Sequence, residues 1–164
     1  MRGFSLIEML IYIGLFALIM TAALEASFAV SESSARDATR AELQEEGEFL
    51  IGKIDWIIGQ SREVAAPAAG VSSQNLSVTN DDGSAVSVSL SAGDGLVSVA
   101  RGPQDPVQLN DDGIRITQVS FEHIAGVPDG LPEHIDTSLT LIATSSTGKP
   151  MTQTFQETFY VLHE

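Results

Sequence analysis

The stretch that decides the fold is Gly3–Leu24, which reads GFSLIEMLIYIGLFALIMTAAL. The 21 residues from Phe4 to Leu24 contain a single charge, Glu8, and the 16 residues from Met9 onward contain none. A helix rises ~1.5 Å per residue, so this stretch spans roughly 30 Å, the thickness of a bilayer core. Secretory signals have a shorter apolar region, followed by a cleavage site of small residues. The stretch therefore predicts a membrane anchor that stays attached.

The charges that flank the apolar stretch predict its orientation. Arg2 and the amino terminus precede it, whereas Glu25 and Glu32 follow it and the first basic residue beyond it is Arg36. Basic flanks stay in the cytoplasm. We therefore expect a single pass through the cytoplasmic (inner) membrane, with the N-terminus in the cytoplasm and the rest outside.

The overall charge disfavours one class of partner. The chain has 8 Lys and Arg against 22 Asp and Glu, a formal net charge of −14. Nucleic-acid binding requires a basic patch, so no nucleic-acid partner is expected. The chain has no cysteine, so its stability must come from packing without disulfides.

Helical character continues beyond the anchor. There is no proline between Ser27 and Glu63, and apolar residues recur at helical spacing at Leu43, Leu50, Ile54, Ile57, Ile58 and Val64. This pattern predicts one helix from Phe4 to Val64, with a membrane half over residues 4–24 and an amphipathic half over residues 25–66. Gly47 and Gly52 weaken the second half and could break it. The helix is expected to end near Val64 to Ala66, because Pro67 and Gly70 follow.

After Gly70 the apolar period changes to two, which is typical of strands. Alternating segments occur at 75–79, 86–90, 96–100, 114–122, 137–143 and 152–162, and Asx-Gly or Gly-rich turns separate several of them. Residues 67–164 are therefore predicted to form an antiparallel β-domain with one solvated face and one face covered by the amphipathic half of the helix. The fold class is α+β.

The segment Gly3-Phe4-Ser5-Leu6-Ile7-Glu8, followed by the apolar run, resembles the processing site of type IV prepilins and type II secretion pseudopilins. The resemblance implies a pilin-like fold and cleavage by a prepilin peptidase between Gly3 and Phe4. Residues 1–3 would then be a leader peptide, Phe4 would be N-methylated, and Glu8 would become the fifth residue of the mature chain.

Glu8 has a physical role in this scheme. A carboxylate inside a membrane helix costs about 2.5–3.5 kcal/mol at the bilayer centre, and such residues are usually functional. Cleavage exposes an ammonium group one turn away, and the glutamate of one subunit could neutralise the amine of a neighbour. Such a pair would fix the register between subunits. A simpler alternative is that an acid suits the start of a helix because of the helix dipole.

The resemblance also implies the partners and the final location. These are other pilins or pseudopilins, the prepilin peptidase, an inner-membrane assembly platform and, after assembly, an extracytoplasmic or cell-surface filament. The apolar half lacks the proline that many major pilins carry, and the chain lacks their C-terminal cysteine pair. These departures point to a minor pilin or pseudopilin, and the overall layout is most similar to the larger pseudopilins of the J type.

Other candidate sites have simpler explanations. The turns Asn80–Gly83 and Asn110–Gly113 could supply oxygen ligands to calcium, although Asx-Gly is also what a tight turn needs. No other cofactor is expected. His123, His134 and His163 lack metal-ligand spacing and are predicted to be surface or strand residues. Phe49 and Trp56 are predicted to pad a contact with a neighbouring element or subunit. No residue pattern indicates a catalytic site, so no enzymatic activity is expected.

Two hypotheses follow. The first is a structural subunit that polymerises through its N-terminal helix into a type IV pilus-like or type II secretion filament. The alternative is a membrane-anchored extracytoplasmic β-domain that binds or senses a ligand. Gly3-Phe4 together with Glu8 separates them, because a plain anchor needs none of these residues.

Overall fold

The computed structural model describes residues 5–91, 93–111, 113–127 and 130–161. The chain divides into two units, Met1–Ala38 and Thr39–Glu164. One helix, α1, covers Leu6–Gly59. The strands in the described residues are β1 Ser61–Ala66, β2 Ser72–Ser73, β3 Asn75–Asn80, β4 Ala85–Ser91, β5 Leu96–Arg101, β6 Val107–Gln108, β7 Ile114–Ile124, β8 His134–Thr144 and β9 Pro150–Tyr160.

Helix α1 runs without interruption through Gly47 and Gly52, so these two glycines weaken the helix without breaking it. The apolar stripe predicted on its second half is confirmed, because Leu43, Leu50, Ile54, Ile57 and Ile58 are each at most 2% exposed. Packing of this stripe outweighs the weak helix propensity of the glycines.

The predicted end of the helix was wrong. Helix α1 ends at Gly59, and residues Ser61–Ala66 form strand β1 instead of a last helical turn. The Ser61 hydroxyl donates a hydrogen bond to the Ile58 carbonyl oxygen at 2.6 Å, which satisfies an acceptor left free by the end of the helix. Val64 is buried as predicted, but it lies opposite Val78 of β3.

The β-domain contains two antiparallel sheets where the sequence predicted one. A five-stranded sheet has the order β1-β3-β4-β5-β6, and a four-stranded sheet has the order β2-β7-β8-β9. Each of the six predicted strands is present at nearly the predicted position. The α+β, pilin-like architecture is therefore confirmed: a long N-terminal helix followed by antiparallel sheet.

One core joins the buried stripe of α1 to the inward faces of both sheets. The largest buried side chain is Phe121 of β7, and it packs with residues such as Leu76 of β3 and Leu139 of β8. Strand β8 alternates buried and half-buried residues along almost its whole length. This alternation is the period of two that made the strands predictable from the sequence.

Candidate functional site

The first candidate site is the start of the chain. Gly3 and Phe4, the predicted cleavage and methylation residues, lie outside the described residues, so both roles stay predictions. The Ser5 carbonyl oxygen accepts hydrogen bonds from the backbone N–H groups of Glu8 at 3.1 Å and Met9 at 3.2 Å. Helix α1 therefore begins at Leu6, two residues after Phe4 in the sequence, and Glu8 lies in its first turn.

The surface of α1 that surrounds Glu8 is apolar and exposed on all sides. Leu6 is 81% exposed, Leu18 is 70% exposed, and none of the described residues from Ser5 to Ala38 is buried. Burial of each large apolar side chain is worth about 1.5–3 kcal/mol. Water is thus an unfavourable environment for this segment, whereas lipid or the apolar helices of other molecules would stabilise it. By length and composition the helix could cross a membrane.

Glu8 is the single charged residue among the described residues 5–24. An ionised carboxylate on an otherwise apolar helix favours a nearby positive charge, because its own desolvation is otherwise uncompensated. Its position in the first turn also places it at the positive end of the helix dipole. Pairing of Glu8 with a positive group of another molecule stays a prediction.

The two acidic turns have structural roles in the β-domain. Asp82 accepts a hydrogen bond from the Ser84 backbone N–H at 2.8 Å. Hydrogen bonds from the Ser84 side chain and then from its backbone lower the pKa of the Asp82 carboxyl. Gly83 has a φ of 79°, a left-handed conformation that glycine adopts without strain and that this turn requires.

The second turn is organised by Asn110, which is 3% exposed. Its side-chain oxygen accepts a hydrogen bond from the Val97 N–H at 2.7 Å, and its amide nitrogen donates to the Ile114 carbonyl oxygen at 2.8 Å. Within the described ranges, which omit Asp112, no three His, Asp or Glu residues approach each other closely enough to hold a metal ion. Calcium binding by either turn stays a prediction.

The histidines were predicted to be surface or strand residues, and the two in the described residues are strand residues that are buried. His123 and His134 lie on β7 and β8 and are each 7% exposed. His123 Nδ1 lies 2.9 Å from the Pro67 carbonyl oxygen, and its Nε2 lies 2.8 Å from a Glu133 carboxylate oxygen. His123 thus joins β7 to two connecting segments, which is a structural role. His163 lies outside the described residues.

Trp56 contacts a neighbouring element, as predicted. Lys53 Nζ lies 4.6 Å from the centroid of the Trp56 ring, and Arg101 Cζ of β5 lies 4.8 Å from it. These are cation–π distances that attach the end of α1 to the five-stranded sheet. Phe49 lies about two helical turns before Trp56. It lines a surface pocket together with Lys53 and is 52% exposed.

Sequence reasoning missed the contact between Gly47 and Phe155. A Cβ atom added to Gly47 would lie 2.1 Å from the Phe155 ring, so only glycine allows β9 to approach α1 this closely. Nearby, Gln153 Nε2 donates a hydrogen bond to Gln44 Oε1. A glycine on the buried stripe of an amphipathic helix, between Leu43 and Leu50, was the available signal of a close approach.

Comparison with protein families gives one match. Residues 1–24 match the model of the prokaryotic N-terminal methylation motif, which is the prepilin-type signature. Searches of curated proteins and of solved structures found no match for this chain. The match covers the apolar segment and Glu8 but not the β-domain, whose role must be argued from its own structure.

Proposed function

We propose that this chain, a pilin- or pseudopilin-type precursor by its N-terminal motif and apolar helix, is a structural subunit of a type IV pilus-like or type II secretion filament. The observation that carries the proposal is the methylation motif at residues 1–24, at the start of a helix whose apolar side chains over residues 6–24 are exposed on all sides. The exposed apolar surface needs partners, and the helices of neighbouring subunits are suitable ones.

The membrane holds the subunit before assembly. The apolar segment anchors the chain in the inner membrane, and Arg2 keeps the N-terminus in the cytoplasm, where a prepilin peptidase can reach Gly3. Cleavage after Gly3 removes Met1–Gly3 and leaves Phe4 as the new terminus. The same enzyme then adds a methyl group to that amine.

Glu8 directs the assembly step. The new ammonium group, on Phe4, comes four residues before Glu8 in the sequence. In a filament of staggered subunits, the Glu8 carboxylate of one subunit neutralises the ammonium of a neighbour. A mismatched register would leave both charges unpaired in an apolar environment, which costs several kcal/mol per ion. The pair therefore selects one axial stagger.

The β-domain faces the extracytoplasmic side and forms the outer surface of the filament. Its partners are other pilins or pseudopilins and the inner-membrane assembly platform. The absence of the cysteine pair found in many major pilins supports a minor subunit, and the layout of helix and late strands is compatible with a J-type pseudopilin.

Glu8→Gln tests the pairing, because it removes the charge and keeps the size of the side chain. We expect the variant to insert into the membrane and to be cleaved after Gly3, but to enter sheared filaments at least about tenfold less than the wild type, which corresponds to about 1.4 kcal/mol. Glu25→Gln is the matched control, because Glu25 lies beyond the apolar segment. Equal incorporation of Glu8→Gln and wild type would refute the pairing.

A further inference from the structure

The edge of the four-stranded sheet formed by β9 differs from the other sheet edges in the described residues. Strand β9 covers Pro150–Tyr160 and pairs with β8 over 11 residue pairs without a register shift. Strands β2 and β6, by contrast, are two residues long. Strand β1 has two register shifts and carries Arg62 and Glu63. Short strands, irregular pairing and charges normally protect an edge from added strands, and β9 has few of these protections.

The hydrogen-bond pattern shows which backbone groups of β9 lie on the open side. Val161 N–H donates to the Glu133 carbonyl oxygen at 2.9 Å, and Ser145 N–H donates to the Lys149 carbonyl oxygen at 2.9 Å. Both pairs continue the register of β8 with β9, in which Phe159 lies opposite Ile135. Since hydrogen-bonded pairs alternate along an antiparallel ladder, the odd-numbered residues of β9 bond to β8.

The even-numbered residues of β9 therefore direct their backbone N–H and C=O groups away from β8. These residues are Thr152, Thr154, Gln156, Thr158 and Tyr160. Pro150 agrees with this assignment, because it occupies an even position, where the missing N–H removes no bond to β8. In the part of the chain that the structure describes, no strand pairs with this side of β9.

A groove of about 570 Å³ runs between this edge and helix α1. Ile51 and Phe159 contribute apolar surface to it, and Glu48, Asp55 and Glu157 contribute three carboxylates. No Lys or Arg side chain is among the described residues that line the groove. Its charge complement is therefore a basic group, and a second copy of β9 would add another Glu157.

We propose that β9 is a strand-addition site for an extended, basic segment of a partner protein. The segment pairs its backbone with the even-numbered residues of β9. Its side chains alternate, so that Lys or Arg and apolar residues enter the groove beside Glu157 and Phe159, and small polar residues continue the outer face of the sheet. This inference does not depend on filament assembly, since it rests on strand β9 and on residues 48–55 of α1 that line the groove.

The probe for the test is a synthetic eight-residue peptide in which threonine alternates with lysine and isoleucine. Its control replaces each lysine by glutamate. The peptides are added to the detergent-solubilised full chain, and amide hydrogen exchange is followed residue by residue. We expect the lysine peptide to slow exchange at least about tenfold at Thr154, Gln156 and Thr158 and the glutamate peptide to have no such effect.

Gln156→Pro provides the matched test of strand addition. It removes one outward N–H and leaves the bonds between β9 and β8 intact, so it should fold and lose the protection. Gln156→Thr should keep the protection. If Gln156→Pro does not fold, Thr154→Pro makes the same test.

Three results would overturn the proposal: no protection by the lysine peptide, equal protection by both peptides, or protection that survives the proline substitution. Protection of the same amides by self-association at high protein concentration would assign the edge to a second copy and would also overturn it.

Discussion

Two stretches of α1 carry large apolar side chains and differ completely in how far they bury them. Leu6–Leu24 exposes every large apolar side chain by 46% or more, whereas Leu43–Ile58 buries five of them almost completely. The difference lies in the pattern. Apolar residues cover every side of the first stretch and form a stripe on the second. The two sheets of the same chain can bury a single apolar stripe. A helix segment that is apolar on every side needs lipid or other molecules to bury its remaining surface. The second stretch therefore stabilises the fold of this chain, whereas the first stretch depends on surroundings outside the chain.

The largest effect that could break this comparison comes from matched leucine substitutions. Leu50 is 0% exposed and Leu15 is 52% exposed. We expect Leu50→Ala to lower the free energy of unfolding of the β-domain by about 2–5 kcal/mol, because it leaves a cavity in the core. Leu15→Ala should change it by less than about 0.5 kcal/mol. Denaturation of the detergent-solubilised chain, followed through the fluorescence of Trp56, measures both. Similar losses for the two variants would contradict the division.

A smaller effect is expected at His123, which stabilises the domain by hydrogen bonds. His123→Leu removes the bonds to Pro67 and Glu133, and the buried Pro67 carbonyl oxygen loses its hydrogen bond with the imidazole ring. The expected loss is about 1–3 kcal/mol in the same denaturation experiment. Glu122→Gln, on the exposed face of the same strand, is the control and should be nearly neutral. A neutral His123→Leu would show that these bonds do not stabilise the fold.

The two glycines of the second stretch sharpen the comparison, because the same substitution should have opposite signs. Gly47→Ala would place a methyl group against the Phe155 ring, which must then move, and we expect a loss of about 1 kcal/mol. Gly52 has no atom within 4 Å of an added Cβ, so Gly52→Ala should gain about 0.5–1 kcal/mol from helix propensity. The midpoint of thermal unfolding should fall for Gly47→Ala and rise for Gly52→Ala. Stabilisation by Gly47→Ala would contradict the close approach of β9 to α1.

The smallest effect concerns pH. The pKa of Asp82 is lower in the folded chain because of its hydrogen bonds with Ser84. The contribution of Asp82 to the stability of the folded chain is therefore present above the pKa that this carboxyl has in the unfolded chain. It is lost as the pH falls through the pKa that the carboxyl has in the folded chain. NMR titration should place the Asp82 midpoint below that of the same residue in an unfolded peptide. Ser84→Ala should move the midpoint upward, and an unchanged midpoint would refute this cause.

Much of the fold could be predicted from local patterns. The apolar run, the stripe from Leu43 to Ile58 and the alternation of the strands each reflect a period that burial imposes on the sequence. The end of the helix could not be predicted from the stripe, because Val64 satisfies both the helical spacing and the strand alternation. In the structure Val64 lies opposite Val78, and this contact depends on the pairing of β1 with β3, which the local pattern does not show.

Contacts between residues far apart in the chain could not be predicted either, because local patterns do not show which segments pair. Nothing near Asn110 in the sequence shows that its side chain accepts a hydrogen bond from the backbone of Val97 on β5. The alternating segments likewise did not show that they divide into two sheets, or that β9 forms an edge. Glu8, in contrast, is conspicuous in the sequence alone, because a charge in an apolar run is locally anomalous. Its role in assembly stays a prediction.

We propose that Gly3-Phe4 and Glu8 mark a precursor that is processed before it assembles. The most direct measurement is the intact mass of the membrane-extracted chain from cells with and without a functional prepilin peptidase. The account predicts that the peptidase removes Met1–Gly3 and that the product carries one added methyl group, whereas the chain from peptidase-deficient cells is full length. An intact, unmethylated N-terminus in cells that have the active peptidase would contradict it.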